Sequence, residues 1–287
     1  METRIVKRLV LTTWSALILT ASAQAHEYWL EPAVFQVEPG EEITGNLKNG
    51  QDFKGSTFSY IGSRFDLFTV NSPSGESPAT GRDGDRPALV AKTAEPGLYS
   101  VSYQGKFEHI TFTDPAKMKL YEDYEGLTGL LQHHAERGLA DDRLQEQYAR
   151  CAKALFQVGD PQKNAQGHTS GDSLTGLKFE LVAEENPYTL DEDDTLPVRL
   201  YWQGEPAGNV QIRWFRYRDA SHTGTVRTDE TGRARVPLGG GGKFLLNAVR
   251  IYPGDEDPET DIPEWYSYWA SLTFGIKGTD EALAEGN

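Results

Sequence analysis

A single cysteine, Cys151, stands among 287 residues, so no disulfide can form within the chain and stability has to come from packed cores. Histidine is nearly as scarce. His26, His109, His133, His134, His168 and His222 are the whole supply of imidazole, which leaves few ways to assemble a nitrogen-ligated metal site. Positive charge is in deficit: 28 Lys and Arg face 43 Asp and Glu, for a net charge of −15. That balance argues against nucleic acid or an anionic membrane surface as a partner and favours weak accumulation of cations. G-x-S-x-G, H-E-x-x-H and a phosphate-cradling glycine loop are all missing. Gly239 to Gly242 lacks the following Lys-Ser/Thr that a P-loop needs. A non-enzymatic role is therefore the expectation.

Long apolar runs are also missing, with one exception. Leu9 to Thr20 carries no charge, follows Arg4, Lys7 and Arg8, and leads into Ala23-Gln24-Ala25. This reads as a signal peptide over residues 1–25, cleaved before His26, and predicts export. The run is too short to be retained as a membrane span. Ala21-Ser22-Ala23 is a second small-residue site and would leave Gln24 first. Cleavage before His26 would give a metal ion two nitrogens at once, the α-amine and the imidazole. The amine has a pKa of about 7.7–8, so binding would displace a proton and weaken as pH falls.

From residue 26 to 113 short alternating runs are separated by turn residues, as in Arg64 to Val70 before Asn71-Ser72-Pro73 and Leu98 to Tyr103 after Glu95-Pro96-Gly97. The spacing predicts an antiparallel sandwich. Residues 114–160 read as helical. Asp114-Pro115 is a start signal, and Leu144, Tyr148, Cys151, Leu155 and Val158 recur at three- or four-residue steps. On such a helix Arg150 and Lys153 would pair with acids such as Glu146. Residues 161–175 are rich in Gly, Ser, Asn and Gln and read as a linker. Residues 176–276 hold strand-like runs that predict a second sandwich, and 277–287 an acidic, disordered tail. The fold class is therefore mainly β, two sandwiches of immunoglobulin or transthyretin-like type with a short helical segment between them.

Five segments, in order, carry a family resemblance: Ala25 to Pro32 (AHEYWLEP), Tyr121 to Leu127 (YEDYEGL), Tyr148 to Gly159 (YARCAKALFQVG), Thr228 to Arg233 (TDETGR) and Trp269 to Phe274 (WASLTF). Together they resemble the bacterial periplasmic family DUF4198, some of whose members lie beside nickel-uptake genes and were once labelled nickel transport proteins. The resemblance implies a periplasmic protein that handles nickel, accessory to metal uptake, with a membrane metal transporter as a partner, whereas the Irving–Williams order favours copper at a nitrogen-ligated site, so nickel and copper are both candidates. It also implies a histidine in the late strand where this chain has Val249-Arg250-Ile251.

His26 is the first candidate ligand, and His109 the second, because it falls in a strand of the same domain. His133 and His134 are neighbours about 100° apart on a helix, chelate poorly and should be solvated. His168 and His222 read as loop residues. The acidic runs at 191–194 and 255–259 do not match a calcium loop. Trp214 and Trp269 read as core, and Trp265 and Tyr266 as exposed rings. Two further readings stay open. One is a carbohydrate- or protein-binding structural sandwich without metal, and the other a copper-dependent oxidase using an N-terminal histidine brace.

Overall fold

The computed structural model describes residues 26–161, 171–217, 219–254 and 263–276. The expected signal peptide, His168, the acidic run at 255–259 and the expected tail lie outside the described residues.

The first part of the chain forms β1 (Glu27–Pro32), β2 (Gln36–Val37), β3 (Glu42–Gln51), β4 (Lys54–Phe58), β5 (Phe65–Ser72), β6 (Gly75–Pro78), β7 (Leu89–Lys92), β8 (Gly97–Gly105) and β9 (Glu108–Phe112). Two helices follow, α1 (Pro115–Glu125) and α2 (Leu130–Glu136), and then β10 (Leu144–Val158). The second part forms β11 (Phe179–Ala183), β12 (Thr195–Trp202), β13 (Glu205–Pro206), β14 (Gln211–Arg216), β15 (Asp219–Arg227), β16 (Arg233–Pro237), β17 (Gly242–Pro253) and β18 (Trp265–Ile276).

These strands make three sheets. β1, β3, β4 and β7 form one small sheet, and β11, β12, β13 and β16 form another. Between them lies a ten-stranded sheet in the order β15-β14-β17-β18-β10-β8-β5-β6, with β2 and β9 also paired to β10. The architecture is mainly β and layered as two sandwiches, as the sequence predicts, but the two share the central sheet. Their common member is β10. Ala152, Ala154, Phe156 and Val158 enter the core under the first small sheet. Cys151 and Leu155 enter the core under the second.

The helix expected over 141–158 is thus a strand of 15 residues. Burial on both faces removes the polar alternation that marks a half-exposed strand, and a continuous apolar run reads equally well as a helical stripe. The earlier part of the helical segment holds. The Asp114 carboxylate accepts from Ala116 N at 2.9 Å, Pro115 opens α1, and Gly126 closes it at φ +68°. Met118, Tyr121 and Leu130 then pack with Phe112, Leu144, Val249, Trp265 and Trp269 on the central sheet.

The end of the expected linker is tied down. Lys153 is fully buried, and its ammonium lies 2.9 Å from Asp172, 3.0 Å from the Ser173 carbonyl and 2.5 Å from Glu180. The Thr175 hydroxyl donates to Glu180 at 2.8 Å. Lys153 therefore stitches residues 172–180 to β10, and Glu146 is not its partner. The Thr228 to Arg233 segment forms a turn: Asp229 Oδ1 accepts from Thr231 N at 2.8 Å and Arg233 N at 3.0 Å.

Candidate functional site: a basic and aromatic cleft beside β1

Successive side chains of a strand point to opposite faces, and β1 uses both. Tyr28 and Leu30 join the core of the first sandwich. Trp29 points the other way, to Phe53, Phe215 and Leu245. On the Tyr28 side a cleft of about 220 Å³ opens between the small sheet and β8, β9 and β10. Its walls are aromatic: Tyr28, Phe58, Phe65, Tyr103 and Tyr148. Its charges are Arg64, Lys106 and Arg150 against Glu108. In a chain of net charge −15, that local excess of cations is the inverse of the overall balance.

Arg150 is the centre of this arrangement. It is 9% exposed, and its guanidinium carbon lies 5.3 Å from the Tyr28 ring, 4.9 Å from Tyr148 and 5.9 Å from Trp269. Its Nη1 donates to the His26 carbonyl at 2.5 Å. Among the described residues no carboxylate forms a salt bridge with it. The nearby Glu108 accepts from the Tyr148 hydroxyl at 2.7 Å instead. Burial pushes the Tyr28 and Tyr103 phenols above their ordinary range, so both stay protonated. The cleft offers neutral hydroxyls, ring faces and a buried cation. Sequence reasoning missed it because Tyr148 and Arg150 sit on the strand read as a helix.

The expected ligands are placed as follows. His26 is half-buried ahead of β1, with its carbonyl held by Arg150. His109 is exposed on β9, and its Nε2 lies 3.1 Å from the Thr111 hydroxyl. Among the described residues, no three His, Cys, Asp or Glu side chains are grouped as a metal ion requires. Neither His26 nor His109 belongs to such a group.

His133 is exposed, as expected, but His134 is buried. Its Nδ1 accepts from Trp265 Nε1 at 2.9 Å, which leaves Nε2 protonated to donate to the Ala140 carbonyl at 2.9 Å. It is a neutral, structural histidine. His222 lies 3.9 Å from Asp219 and edge-on to Trp214.

Trp214 and Trp269 are buried, and so is Trp265, against expectation, because α2 covers it through His133 and His134. Tyr266 is half-exposed and belongs to a strip of touching rings, Phe107, Tyr266, Tyr268, Trp202 and Tyr252. Arg250 lies over Trp202 at 5.2 Å, so the residue at the expected histidine position serves this strip.

No curated protein matches the chain. Similar solved structures include the D0-D1 domain of Intimin, 12% identical, covering 86% of this chain and 97% of that one at a TM-score of 0.21. Another is the BSP domain of a biofilm associated protein, 8% identical, covering 87% of this chain and 30% of that one at a TM-score of 0.20. The profile described as "Domain of unknown function (DUF4198)" matches residues 23–251, which takes in Arg150, its aromatic neighbours on β1 and β10, and four of the five segments that carry the resemblance. The chain belongs to the DUF4198 family.

Proposed function

We propose that this chain is an exported, non-enzymatic binding protein whose Arg150 cleft takes a small carboxylate-bearing ligand. One observation carries the reading: a buried guanidinium, without a carboxylate partner among the described residues, faces a cleft. A buried charge is costly unless paired, and a guanidinium matches a carboxylate bidentately. The ring faces around it suit a flat or sugar-like body. At about 220 Å³ the cleft lies below the roughly 300–1,000 Å³ of drug-sized sites, which calls for a ligand the size of a single sugar acid.

Calorimetric titration with galacturonate, benzoate and galactose tests this. The carboxylates should saturate the wild type and the neutral sugar should not. Arg150→Gln should weaken them by about 2–5 kcal/mol, roughly thirtyfold or more, and Arg64→Gln, at the exposed rim, by much less. Equal binding of galactose, or no saturation by either carboxylate, would remove the reading.

A second reading rests on the strip of rings from Phe107 to Tyr252, a surface on which a glycan could stack. In affinity electrophoresis, soluble polysaccharide should then retard the wild type but not the Phe107→Ala, Tyr266→Ala double variant. Identical migration of the two proteins would dismiss it. Nickel or copper handling, with a membrane transporter as partner, would need ligands beyond those the described residues group together.

A further inference from the structure

Glu27 precedes Tyr28 on β1 and so faces away from the cleft. It lines a separate cavity of about 90 Å³, walled by Phe112, Tyr121 and Tyr124, with Glu125 on the same wall and the exposed Leu120 at the mouth. Three observations show that the carboxylates here are short of hydrogen bonds, although Lys117 and Gln51 also line the cavity and the Tyr121 hydroxyl and Arg213 Nε have no hydrogen-bond partner of their own among the described residues. Glu27 is 1% exposed, yet its Oε2 has no hydrogen-bond partner among the described residues. Its Oε1 and Asp52 Oδ1 both lie 3.2 Å from the Tyr124 hydroxyl, which has one proton to give. Among the described residues, buried Glu125 receives only a long contact, 3.4 Å, from the Asn247 amide. Arg213 does not make up the shortage. Its guanidinium stacks 3.8 Å from the Tyr124 ring centroid and its Nη2 is spent on the Tyr124 carbonyl, and it forms no salt bridge with either acid among the described residues.

We propose that this cavity binds the head of a primary alkylammonium ion. An ammonium carries three donors on one small charge, which suits the open Glu27 oxygen and the Glu125 carboxylate, while the rings around it attract a cation through their faces. A calcium ion would need six to eight oxygens, and two carboxylates with a phenol fall short of that. The small volume admits a slim chain and turns away a quaternary ammonium. The site is independent of the Arg150 cleft, on the other face of β1.

Charge linkage provides a second readout. Burial pushes the Glu27 carboxyl up to about 7, so below that pH a proton competes with the ligand. The groups facing Glu27 are Tyr124, Glu125 and Lys117 from α1, Asp52 from the turn between β3 and β4, and Arg213 from β14. Of these Lys117 and Arg213 are cations, and they lower the affinity without filling the cavity.

The test is a calorimetric or NMR titration of the full chain with n-butylammonium, tetramethylammonium and n-butanol at pH 8. Only n-butylammonium should saturate. Its affinity should fall as pH drops from 8 to 6, and Glu27→Gln should weaken it at least tenfold and reduce that pH dependence, the remainder coming from Glu125, whose carboxyl burial also pushes up. If Glu27→Gln does not fold, Glu125→Gln decides on the same criterion. Absence of saturation at about 10 mM ligand, equal binding of n-butanol, or unchanged affinity in both acid variants overturns the proposal.

Discussion

Lys153→Ala should destabilise the protein by about 3–5 kcal/mol, seen as a lower midpoint in urea denaturation followed by tryptophan fluorescence. Lys153 has no solvent exposure, and its ammonium is the cation for both Asp172 and Glu180, themselves buried. Truncation leaves two carboxylates facing each other without water, and the Ser173 carbonyl loses its donor as well. Burial already raises Asp172 above the ordinary carboxylate range even with Lys153 in place, so Asp172 would take up a proton in the variant and its loss should be smaller at pH 5 than at pH 8. Lys153→Met combined with Asp172→Asn and Glu180→Gln should recover much of the stability, since replacing a whole buried ion group is far less harmful than breaking it. A Lys153→Ala variant as stable as wild type would mean that the cluster contributes nothing.

The second large effect is a stability that declines from mildly acid to mildly basic pH. Burial pushes both Glu27 and Glu146 from the ordinary 4.5 up to about 7. Glu146 shares a hydrogen bond with the Ser267 hydroxyl, while its Oε2 has no partner among the described residues. Between pH 4.5 and 7 the folded chain keeps protons that the unfolded chain has released, so stability from these groups is fully present below about 4.5 and is lost as pH rises through about 7. Each group is worth on the order of 3 kcal/mol at most. Melting temperature measured from pH 5 to pH 8 should therefore fall, and Glu146→Gln should raise it at pH 8 while changing little at pH 5. A melting temperature that climbs steadily toward pH 8 would contradict this assignment. Asp229 works in the opposite sense: backbone donation from Arg233 holds its carboxyl below the ordinary value, and that contribution is lost only in stronger acid.

Much of this fold is legible in the residues because turns and half-exposed strands follow local rules. Asp114-Pro115 and Gly126 frame α1, and Asp229-Glu230-Thr231-Gly232 frames the turn before β16, as short-range chemistry requires. β10 is not legible in that way. Its two faces are buried by sheets that come from opposite ends of the chain, so its pattern depends on partners far away in sequence. The misread strand also hid the candidate site, because only in a strand does Arg150 share a cleft with Tyr28, Phe65 and Tyr103. Glu27 and Glu125 were invisible for a related reason: nothing local announces that a glutamate will be buried. The histidines show the converse. His26 and His109 stand out by type, yet among the described residues neither falls in a group of three candidate ligand side chains.

The parallel pairing of β10 with β18 sets the order in which this protein can form. Ala149 lies beside Tyr268 and Cys151 beside Ala270, while Val37 reaches the far end of the same strand at Val158. Each half supplies its own strands of the central sheet, but the seam that joins them cannot close until residues 265–276 are available. Pairings this distant slow folding. A nascent chain that has just released β10 would have the first small sheet at hand for one face, while the face carrying Cys151 and Leu155 and the edge that pairs with β18 stay uncovered until the second half of the chain arrives.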